Sequence, residues 1–190
     1  IGSYFYAINS VETLINFPRY FNVYIATIFS FMLISRIKNP LVFVSYLLSA
    51  FLFIELISYY NDYVQFFANN EVFEPMKVKG VSGNKNITAA SIAIKIPFVL
   101  YIMNVSRSKI ITLIGYTILI ACYYAFSVIV ARAAILSSLI CVSIYLLFIS
   151  YSFIISERNY PSFLKKSSYV IIPYLVAICL YLFITNTTKK

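Results

Sequence analysis

Residues 110–155 read IITLIGYTILIACYYAFSVIVARAAILSSLICVSIYLLFISYSFII, and one charged residue, Arg132, interrupts them. As a single helix rising 1.5 Å per residue, this stretch would extend about 70 Å. The hydrocarbon core of a bilayer is only roughly 30 Å thick, which about 20 apolar residues cross. The segment therefore has to fold back on itself. Arg132 stands near its midpoint, so two spans, Ile110–Val130 and Ala133–Ile155, with Arg132 at the turn, are expected.

The same yardstick applied outward finds further apolar runs at Tyr20–Ser35, Pro40–Tyr60, Ile87–Met103 and Tyr169–Ile184. The fold expected is all-α: one polytopic transmembrane helix bundle over residues 1–190, with about six spans. Composition agrees, with 62% hydrophobic and 11% charged residues, where a soluble domain carries about a quarter charged. Residues 1–18 are interrupted by Ser10, Glu12 and Asn16. Pro18 is expected to stop any helix before the first span, which leaves an interfacial segment. The chain opens on Ile1 and closes on Lys189 and Lys190 directly after a hydrophobic run. Both ends read as cut from a longer protein.

Short basic loops orient a membrane protein with their Lys and Arg toward the cytoplasm. One set of short connections holds Arg36 and Lys38, then Arg107 and Lys109, then Arg158, Lys165 and Lys166, with one acid, Glu157. The other holds Arg19, the long 61–85 loop with Lys77, Lys79 and Lys85 diluted by Asp62, Glu71 and Glu74, then Arg132 and the terminal lysines. The first set is assigned to the cytoplasm, so the 61–85 loop and Arg132 face outward. The net charge of +9 is spread over membrane flanks, which points to an anionic lipid partner and not to nucleic acid.

Chemistry-bearing residues are few. The chain has no His, which removes the commonest general base and metal ligand at neutral pH. Cys122, Cys141 and Cys179 lie far apart within apolar stretches and read as small core residues, so no metal site or cofactor is expected. Three features remain. Lys77-Val-Lys-Gly-Val-Ser-Gly-Asn-Lys-Asn86 runs straight into a span. Gly80 and Gly83 allow a sharp turn, and Asn84 or Asn86 can cap the helix that follows. With Lys77, Lys79 and Lys85 beside a helix N-terminus, this stretch suits a phosphate, or is simply a capped turn with solvated lysines. Arg132 suits bidentate phosphate contacts, or anchors a helix at the interface. Glu55 and Lys95 are ionisable groups inside spans, where they can pair or serve a site, and Pro97 should kink the helix that carries Lys95.

The order of these features resembles the O-antigen ligase and O-antigen polymerase family of multi-pass membrane proteins. Gly80-Val-Ser-Gly-Asn-Lys-Asn-Ile-Thr-Ala-Ala90 is similar to that family's Gly followed by Asn-Lys-Asn at the start of a membrane helix. About forty residues on, Ala131-Arg132-Ala133-Ala134 stands where the family has a Ser-Arg-Gly or Ser-Arg-Ala hairpin turn. The resemblance covers residues 75–155, with Ala131 in place of the usual Ser. It implies transfer of a glycan from an undecaprenyl-pyrophosphate carrier to lipid A core or to another glycan repeat. It places the reaction at the outer face of a bacterial cytoplasmic membrane and requires no metal. Arg132 would be the catalytic contact to pyrophosphate, and Lys77, Lys79, Gly80, Gly83, Asn84, Lys85 and Asn86 would shape the carrier site. The family's later outward loop, with its His, has no counterpart here. The alternatives are a transporter or flippase for an anionic lipid-linked sugar, favoured by Glu55, Lys95 and Pro97, or a non-catalytic membrane subunit.

Overall fold

The computed structural model describes residues 10–68, 80, 83–129, 132–157 and 160–187. Among the described residues six α-helices follow one another: α1 Ser10–Ile34, α2 Pro40–Ala68, α3 Lys85–Val105, α4 Lys109–Ile129, α5 Arg132–Ser152 and α6 Tyr160–Thr187. A single π-helical turn, Phe153–Glu157, follows α5. Five of these segments are long and apolar enough to cross a membrane: 40–65, 85–105, 109–129, 134–155 and 160–183. The protein is thus an all-α, multi-pass helical bundle. The hairpin read from residues 110–155 forms as α4 and α5, with Arg132 as the first residue of α5.

The chain divides into two compact units at Phe43 and Val44. In the first, α1 ends in a turn in which the Arg36 N–H donates to the Leu33 carbonyl and the Ile37 N–H to the Ile34 carbonyl. α2 then begins at Pro40, a first helical position where the missing N–H costs nothing. α1 corrects one expectation, because it runs through Pro18. Proline removes one backbone bond, and a membrane helix can keep its remaining bonds around that gap. The expected first span, Tyr20–Ser35, overlaps the second half of α1 up to Ile34, and its described apolar run Phe21–Ile34 is shorter than the other five. Of the expected interfacial segment 1–18, residues 1–9 lie outside the described residues.

In the second unit α4 packs against both α3 and α6, and α3 also meets α5. The α4 side chains facing its neighbours include Ile118, Leu119, Cys122, Ala125 and Ile129, all buried, at the three-to-four spacing of one helix face. Gly115 admits the side chain of Met103 from α3 so closely that a Cβ there would lie 2.5 Å from the Met103 Cγ. Small residues let membrane helices approach in this way. Two loop assignments are revised. α2 continues to Ala68, so Asn61 and Asp62 stand on its last turns and not in the 61–85 loop. α6 starts at Tyr160, which puts Lys165 and Lys166 on its first turns. Long basic side chains let a helix extend past the apolar core, because their aliphatic stems stay in lipid while the ammonium reaches water.

Candidate functional site

The turn before α3 forms as its glycines require. Gly80 and Gly83 adopt φ of 63° and 67°, left-handed values that side chains with a Cβ resist. The Gly83 N–H donates to the Gly80 carbonyl at 3.1 Å and closes the turn. Asn84 is the N-cap of α3, with extended backbone, and its side-chain oxygen accepts the Asn86 N–H at 2.9 Å. Of the two cap candidates, Asn84 takes the role. Asn84→Ala should therefore cost about 1 kcal/mol of stability, with Asn84→Asp retaining most of it. Thermal unfolding of the detergent-solubilised protein reads this, and an unchanged midpoint in the alanine variant would deny the cap any weight.

The turn is tied to α2. The Gly80 N–H donates to Asp62 Oδ2 at 3.1 Å, so this amide is already engaged by a carboxylate of the protein. A Cβ at Gly80 would also come within 3.1 Å of Thr88 Cγ2, and Thr88 is fully buried. The residues expected to form one phosphate site thus part company. Gly80 serves the α2 side of α3, whereas Asn86 lies on the opposite face of the helix.

On that opposite face α3 and α5 enclose a groove of about 370 Å³. α3 contributes Asn86, Ala90, Ala93, Ile94 and Pro97, and α5 contributes Ala134, Ser137 and Cys141. Both helices begin at the same end of the bundle, because α4 returns the chain between them. Two helix N-termini, each the positive end of a helix dipole, therefore flank one end of an apolar groove, and at α3 the Asn86 N–H is taken by the Asn84 cap. α3 runs on through Pro97. Proline has no N–H, so the Ala93 carbonyl loses its helical donor and leaves an acceptor at the groove wall. Arg132 opens α5 two residues before Ala134; its side chain lies outside the described residues, as do Lys77 and Lys79 altogether. Lys85 is the first residue of α3 and is half-buried.

Glu55 and Lys95 do pair. Lys95 Nζ lies 2.8 Å from Glu55 Oε2, with the two side chains 15% and 12% exposed. The Lys95 ammonium also donates to the Ser91 carbonyl at 3.1 Å and to the Ser91 hydroxyl. All three ammonium donors are thereby used, as burial of this charge demands. Around the pair runs a feature that the sequence reading did not single out. Glu55, Tyr59, Asp62 and Tyr63 recur at i, i+4, i+7 and i+8, and so form one stripe of α2. Tyr63 shares a 3.0 Å hydrogen bond with Tyr124, and the neighbouring Tyr60 donates to the Ala121 carbonyl at 2.7 Å. The Tyr60 and Tyr124 rings stack at 6.2 Å. Tyr59 is fully buried, and its hydroxyl has no hydrogen-bond partner among the described residues. With 18 Tyr in the chain, this stripe was hidden among its peers; the helical spacing from Glu55 was the available signal.

The three thiols occupy different settings. Cys122 is buried, Cys141 is half-buried in the groove wall and Cys179 is exposed on α6. Comparison with protein-family models, with curated proteins and with solved structures finds no match for this chain.

Proposed function

We propose that the chain is the membrane part of an O-antigen ligase- or polymerase-like transferase, moving a glycan from an undecaprenyl-pyrophosphate carrier. Its membrane is the bacterial cytoplasmic membrane, and the site faces the periplasm. The observation that supports this most is the α3–α5 groove. The two sequence segments that carry the resemblance supply its facing walls, through Asn86 and Ala90 on one side and Ala134 on the other. An apolar groove below two helix N-termini suits a ligand with an isoprenoid tail and an anionic head. In the reaction, an acceptor hydroxyl attacks the anomeric carbon of the carried glycan. The bond to the pyrophosphate oxygen breaks, the carrier leaves with that electron pair, and the acceptor's proton passes to water. Arg132 and the helix N-termini stabilise the charge on the departing pyrophosphate.

Cys141 provides a direct test. With Cys122 and Cys179 replaced by Ser, maleimide modification of Cys141 in nanodiscs should slow several-fold when undecaprenyl pyrophosphate is added. An unaltered rate at saturating carrier would remove the groove from the mechanism. A second reading, transport of a lipid-linked sugar, draws on the buried Glu55–Lys95 pair, since ionisable groups within membranes often mark substrate paths. Movement of the lipid-linked sugar across sealed vesicles without bond transfer would favour it.

A further inference from the structure

A second groove, independent of the first, opens where α2, α3 and α4 meet, with a volume of about 510 Å³. It lies on the opposite face of α3 from the α3–α5 groove. Val99 and Ile102 form its α3 wall, Gly115 and Ile118 its α4 wall, and Ala50 part of its α2 wall. Phe53 and Ile114 at its margins are 52% and 51% exposed, so the helices of this second unit leave the groove open sideways, where hydrocarbon chains stand. Gly115 and the pliable Met103 side chain packed onto it form part of the groove floor.

The end of the groove is not apolar. Within one helical turn of Met103 the chain leaves α3 through Ser106, Arg107, Ser108 and Lys109 and enters α4. Arg107 and Lys109 are both exposed, and the α3–α4 connection that carries them holds no Asp or Glu, the acid of this end being Glu157 beyond α5. Tyr46, on the α2 wall, belongs to the same end of the bundle, because α2 begins where α3 finishes. A tyrosine at that depth carries an apolar ring and a polar tip, as residues at the headgroup level do. An apolar slot with two exposed cations in the chain connection beyond its end matches a molecule with a hydrocarbon chain and an anionic head.

We propose that this groove is a binding site for one anionic phospholipid of the adjoining leaflet. Its acyl chain lies against Ala50, Val99, Gly115 and Ile118, and its phosphate lies against Arg107 and Lys109. Each basic residue near a membrane surface strengthens binding of an anionic lipid about fivefold. The site stands whether or not the chain transfers glycans, since none of these residues belongs to the α3–α5 groove.

The test uses the intact protein in nanodiscs containing phosphatidylglycerol and phosphatidylcholine, with native mass spectrometry of the released protein. One phosphatidylglycerol should be retained in preference to phosphatidylcholine. Arg107→Gln with Lys109→Gln should weaken its retention about thirtyfold. Ala50→Trp, which fills the slot from an exposed position, should abolish the retained lipid while leaving the helical circular dichroism signal unchanged. If Ala50→Trp fails to fold, the double Gln variant decides, because both of its positions are exposed. Equal retention of the two phospholipids, retention unaffected by the double Gln variant, or preferential retention of undecaprenyl phosphate when all three are offered would overturn the assignment.

Discussion

Lys95→Ala should lower the stability of the folded bundle by about 3–5 kcal/mol, the cost of leaving one buried charge without its partner. The reasoning starts from the 2.8 Å contact to Glu55 and the low exposure of both groups. Either the orphaned Glu55 stays charged in a poorly solvated seam, or it takes up a proton, and both routes cost free energy. Glu55→Gln with Lys95→Met removes both charges and should recover most of the loss, since replacing an entire buried pair is often neutral. Unfolding in a detergent of graded denaturing strength measures all three proteins. A Lys95→Ala variant as stable as the parent would mean that water reaches the pair freely. A double variant no better than Lys95→Ala would mean that the pair's geometry, and not its charge balance, holds α2 in place.

Glycan transfer should fall about a hundredfold in Arg132→Ala, the loss typical when one preorganised donor to a developing anion is removed. This expectation follows from the proposed function, with Arg132 at the start of α5 two residues from the groove wall. Arg132→Lys should retain a fraction of the activity, because it keeps the charge and loses the planar fork that grips two oxygens at once. The assay is transfer of carrier-linked glycan in membranes from cells expressing the full natural protein, with membrane insertion measured in parallel. Transfer within threefold of the parent, at matched membrane levels, would take Arg132 out of the reaction.

The two experiments probe different levels of legibility. That Glu55 and Lys95 form a pair was open to sequence reading because charged residues inside apolar spans need partners. Asn84 as a cap and the left-handed glycines were open to it as well, since both follow from local backbone chemistry. The continuation of α1 through Pro18, of α2 past Tyr60 and the early start of α6 were not. A proline costs a helix one backbone bond and leaves the others in place, and polar or basic side chains let a helix run past its apolar core, neither of which hydropathy registers. The tyrosine stripe beside Glu55 was hidden because tyrosine is too frequent in this chain to mark a face.

From the sequence alone came the helical class, the multi-pass topology and the fold-back at Arg132. The physical reason is that bilayer thickness converts the length of an apolar run directly into a number of crossings. Only the tertiary structure decided which faces meet. It set Asn86 and Ala134 on one groove, turned Gly80 away from it toward Asp62, and opened a second slot beside Gly115. In helices apolar around most of their circumference, no polar face marks which side turns inward. That choice rests on side-chain shape and a few hydrogen bonds between residues far apart in the chain.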